Sequence, residues 1–72
     1  MELTNEEKKA ILDQHIKGIV VNKYNLHIAI IAESAAEVRD EANIALLNQK
    51  MEAEQAKYDA LLVEYTTLTD QG

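Results

Sequence analysis

The sequence contains no cysteine, proline, tryptophan or phenylalanine, and its two glycines stand at positions 18 and 72. Without cysteine there can be no disulfide, no thiolate zinc site and no cysteine nucleophile. So few turn-forming residues argue against a many-stranded sheet. Positive charge is scarce as well: 7 Lys and Arg against 13 Asp and Glu give a formal charge of −6. A protein that grips nucleic acid neutralises phosphates with a basic footprint, so no nucleic-acid partner is expected. Ser34 is the single serine and no glycine elbow surrounds it; no phosphate loop or dinucleotide fingerprint occurs. The two histidines, His15 and His27, lie twelve residues apart and form no His-x₃-His or Glu-x-x-His pattern. We therefore expect no catalytic residue, no metal, no cofactor and no small-molecule substrate.

Long apolar runs are also missing. The most apolar stretch, Gly18 to Ala36, is interrupted by Asn22, Lys23, Asn25, His27 and Glu33. A membrane helix needs about 20 predominantly apolar residues, so no span is expected. The opening, Met1 to Lys9, is polar and acidic, unlike a secretory leader. A chain of 72 residues buries only about 60% of its unfolded surface. With neither disulfide nor metal to staple it, association is the expected source of stability.

What the sequence does contain is helical periodicity. Thr4-Asn5-Glu6-Glu7 has the form of a capping box, in which the Thr4 hydroxyl accepts from the Glu7 amide and the Glu7 carboxylate accepts from the Thr4 amide. The first helix is predicted from about residue 5 to 36. It carries two apolar stripes. One is Leu12, Ile16, Ile19, Lys23, Leu26 and Ile30; the other is Val20, Tyr24, His27 and Ile31, continued by Ala35 and Val38. One neighbour requires a single stripe of about 100°, so this helix is expected to touch two. A β-hairpin over Ile19–Ile31 competes, because that segment is rich in β-branched residues. Against it stand a turn without glycine and a first strand of three residues.

The second helix is predicted from about residue 41 to 68. Ile44, Leu47, Met51, Glu54, Tyr58, Leu61, Tyr65 and Leu68 follow a 3-4 alternation, with Glu54 the one charged residue on the seam. Its stem is expected to pack while its carboxylate reaches water; register control through a partner's Lys or Arg is the alternative. The three threonines 66, 67 and 69 weaken the last turn, and residues 70–72 are expected to fray. The bend falls in Ser34–Glu41, where Ser34 or Asp40 is suited to cap a new helix; the competing form is one continuous helix about 90 Å long. The predicted fold is thus all-α: a two-helix antiparallel hairpin with coiled-coil character that self-associates into a bundle. Ile16, Ile19, Val20, Tyr24, His27 and Ile31 are expected to carry association. Leu47, Met51, Tyr58, Leu61 and Tyr65 are expected to close the hairpin. His27 is expected to be half-buried and hydrogen-bonded to a neighbour.

Charge is unevenly placed. Residues 1–32 hold four acids and four bases, whereas residues 33–72 hold nine acids and three bases. A solvated face is the simple explanation. An acidic regulator that binds and inhibits a host protein is the alternative function.

The opening Leu3-Thr4-Asn5-Glu6-Glu7-Lys8-Lys9-Ala10-Ile11-Leu12, with His15-Ile16-Lys17 and Asn22-Lys23-Tyr24-Asn25-Leu26, resembles short helical proteins of tailed bacteriophages, notably those of cyanobacteria. The likeness covers most of the first 30 residues; the Pro/Asn-rich bend of that class near residue 38 is lacking here. It implies a structural, non-enzymatic role as a small virion or tail-accessory subunit, with itself or other phage structural proteins as partners. The implied location is the virion or the host cytoplasm.

Overall fold

A computed structural model describes the backbone of residues 2–71 and the side chains through Asp70. Two helices, α1 (Asn5–Ser34) and α2 (Glu41–Gln71), pack along each other as an antiparallel hairpin 55 × 18 × 14 Å in extent. The span Ile19–Ile31 is helical, so the β-hairpin alternative is set aside. Intrahelical hydrogen bonds satisfy every peptide group there without the uncovered edges of a two-stranded ribbon.

Each helix starts where a side chain can take up its free amides. At α1, Thr4 Oγ1 accepts from the Glu7 amide at 3.1 Å and Glu7 Oε1 accepts from the Thr4 amide at 3.0 Å. At α2, Asp40 Oδ1 accepts from the Asn43 amide at 3.1 Å, so Asp40, not Ser34, makes the cap. α1 stops at Ser34, two residues before its predicted end. Ala35 closes the last turn by donating to the Ile31 carbonyl at 3.1 Å. The competing single long helix does not form, and the predicted hairpin does: folding back covers both seams within one chain. α2 runs past residue 68, through Thr69 and Asp70 to Gln71, where fraying was expected; Gly72 lies outside the described residues. The hydroxyls of Thr66, Thr67 and Thr69 donate to the carbonyls of Leu62, Val63 and Tyr65 at 2.9–3.0 Å, the back-bond to the preceding turn that helical threonines make.

The core is a single seam. From α1 it takes Leu12, Ile16, Ile19, Leu26 and Ile30; from α2 it takes Ile44, Leu47, Met51, Tyr58, Leu61, Tyr65 and Leu68, all buried or half-buried. Both sets repeat with heptad spacing, which keeps one stripe of each helix facing the other. Only Ile19 (8% exposed) and Leu68 (4%) are buried among the described residues, and neither completely. Two helices have no third element to close over the seam, so most side chains in it keep an open flank.

Candidate functional site: an outer apolar face of α1

Turning 100° per residue, α1 presents a second apolar surface centred about 120° away from the seam. Val20, Val21, Tyr24, Ile28 and Ile31 form it, and each remains between 47% and 64% exposed. His27 shares the face, its ring centroid 6.2 Å from that of Tyr24 and tilted by 42°. A shallow cleft at the edge of this face is lined by Val20, Lys23, Tyr24, His27 and Met51, so it reaches the flank of α2.

The structure divides the residues expected to carry association. Ile16 and Ile19 are taken up by the hairpin itself: they sit on the seam, and that expectation is revised for these two. Val20, Tyr24, His27 and Ile31 lie on the outer face. The two stripes pass within one residue of each other, at Ile19 and Val20, and only the partner helix decides which of them is covered. Leu47, Met51, Tyr58, Leu61 and Tyr65 all stand on the α2 side of the seam. His27 is exposed, not half-buried, because it lies just beyond the edge of a seam only two helices wide. Val38, expected to prolong the outer stripe, belongs to the connection and is 88% exposed. Val21 and Ile28 were missed as members of the face. Their spacing of seven was present in the sequence, but they fall one residue to the side of the stripe through Val20 and Tyr24.

A polar layer crosses the middle of the seam. The Lys23 ammonium donates to Gln55 Oε1 and lies 5.3 Å from the centroid of the Tyr58 ring, a cation–π contact. Gln55 in turn donates to Asp59 Oδ1 at 2.9 Å. Glu54 accepts from Lys57 on its own helix through Oε1 at 3.0 Å. No protein donor reaches its buried Oε2, and the side chain is 15% exposed. The carboxylate therefore does not extend into solvent as the sequence suggested. The other ion pairs among the described residues (Glu6–Lys9, Asp13–Lys17 and Arg39–Glu41) are local in sequence. Direct polar links between the two helices thus run through Lys23.

Among the described residues, no group of three His, Asp or Glu is placed to hold a metal ion, and no helix is long and apolar enough to cross a membrane. Comparison with known protein families, with characterised proteins and with solved structures finds no match.

Proposed function

We propose that this chain is a non-enzymatic helix–helix association module, a small structural subunit that works by docking the outer face of α1. One observation carries the reading. Among the described residues, two large apolar side chains are buried and eleven are exposed, five of them gathered on one face of α1. Scattered apolar residues on a surface are ordinary, whereas a contiguous patch marks a contact site. The likeness of residues 3–26 to short phage proteins supports the finer reading: a subunit of a tailed-phage virion or tail, located in the virion or in the host cytoplasm.

A second reading, an acidic regulator of a host protein, draws on the exposed acids Glu52, Asp59, Glu64 and Asp70 of α2. Capture of one host protein at fixed stoichiometry by the isolated chain would favour it over assembly. The association reading is tested by light scattering after size exclusion over a range of concentrations. A mass of at least twice 8.1 kDa is expected, and a folded monomer at every concentration would overturn it.

A further inference from the structure

We propose that a second copy of this chain covers the outer face of α1, with the two α1 helices antiparallel about a two-fold axis, so that two hairpins form a four-helix bundle. The inference rests on the association reading and adds the occupant and its orientation.

Symmetry favours this arrangement. A two-fold interface uses one surface twice, so that surface must complement itself. Val20, Tyr24, His27 and Ile31 are spaced 4-3-4, a pattern that reads the same from either end about a midpoint between Asn25 and Leu26. Antiparallel docking therefore sets Val20 of one copy opposite Ile31 of the other, and Tyr24 opposite His27. Each aliphatic residue meets an aliphatic one, and each tyrosine hydroxyl meets an imidazole able to bond it. Parallel docking sets His27 against His27 and Tyr24 against Tyr24.

Charge selects the same face. Two copies each carry a formal charge of −6 and repel one another over most of their surfaces. Between Asp13 and Glu33, however, α1 contains no acidic residue. Lys17, on the same line of the helix as Tyr24 and Ile31, marks the N-terminal end of the face, so the acid-free length of α1 is where two copies meet with least repulsion.

The area is sufficient. The five exposed apolar side chains offer on the order of 500 Å² per copy, hence about 1,000 Å² in total, the lower bound for a specific interface. Because this face lies about 120° from the seam, docking leaves the contact between α1 and α2 intact.

The test uses cysteine substitutions, since the natural sequence has no thiol to interfere. Val20→Cys and Ile31→Cys are prepared separately, then oxidised mildly, alone and as a mixture. In the antiparallel arrangement the two copies of residue 20 are about 16 Å apart along the axis at 1.5 Å per residue, beyond the roughly 7 Å that a disulfide spans. The mixture should yield the cross-linked heterodimer and Val20→Cys alone should not. Self-linking of Val20→Cys as efficient as the mixture would overturn the antiparallel arrangement. So would the absence of any link in a protein that scatters as a dimer, since association would then use another face. A monomer in light scattering takes down the association reading itself, so the two failures are distinguishable. As a second arm, Ile31→Glu, at an exposed position outside the seam, should raise the dimer dissociation constant at least ~100-fold while the helical circular dichroism persists. An unchanged constant would refute the proposal.

Discussion

Replacing Glu54 by leucine should stabilise the hairpin. Glu54 occupies a seam position at which the rest of α2 carries Ile, Leu, Met or Tyr. One carboxylate oxygen is bonded to Lys57, and the other is buried without a protein donor. A buried polar atom left unpaired costs about 1–3 kcal/mol. Leucine removes that cost and adds about 1 kcal/mol of apolar burial, a modest gain because the glutamate stem is already packed. The lost pair with Lys57, whose side chain is 63% exposed, offsets this by no more than about 1 kcal/mol after screening by solvent. The net expectation is about 2 kcal/mol, or roughly 8–16 °C in Tm for a domain of this size. Thermal and urea denaturation followed by circular dichroism, at two protein concentrations tenfold apart, would measure it and separate folding from association. A fall in Tm of several degrees would show that Glu54 meets a cation from another chain, because breaking a buried ion pair costs about 3–5 kcal/mol.

Other substitutions probe the remaining parts of the argument. Gly18→Ala should stabilise α1 by about 1 kcal/mol, since a methyl group there meets nothing within 4 Å and the backbone is helical; destabilisation in a chemical melt would mean that something approaches this position closely. Thr4→Ala removes the cap and should cost about 1 kcal/mol in the same assay; an unchanged midpoint would contradict the capping box. The Glu7 carboxyl is held below its ordinary value first by the bond from the Thr4 amide and then by that from the Thr4 hydroxyl. Its contribution is therefore fully present above the ordinary glutamate range and is lost as pH falls through the lowered value. A Glu7→Gln chain should lack that part of the acid dependence, and identical pH profiles would refute it. Ile19→Ala should cost about 2–4 kcal/mol, a large share of what so thin a core can hold, and a loss under about 1 kcal/mol in urea would show that the seam does not carry the fold.

The sequence by itself determined the start of α1, the two candidate caps of α2 and the side of α2 that is covered. Those features depend on interactions a few residues apart: Thr4 with Glu7, Asp40 with Asn43, and the 3-4 alternation from Ile44 to Leu68. Tertiary packing decided what spacing alone left open. The stripes through Ile19 and Val20 are nearly equal in apolar character, and α2 covers the one whose neighbours are Leu12, Ile16, Leu26 and Ile30. That choice moves Ile16 and Ile19 inside and leaves Val20, Tyr24, His27 and Ile31 outside. The fate of Glu54 was equally beyond the sequence, because Lys23 on the facing helix bonds Gln55 and stacks over Tyr58 instead of meeting the carboxylate. Periodicity records which residues share a face, whereas the identity of what covers that face depends on contacts between segments far apart in the chain.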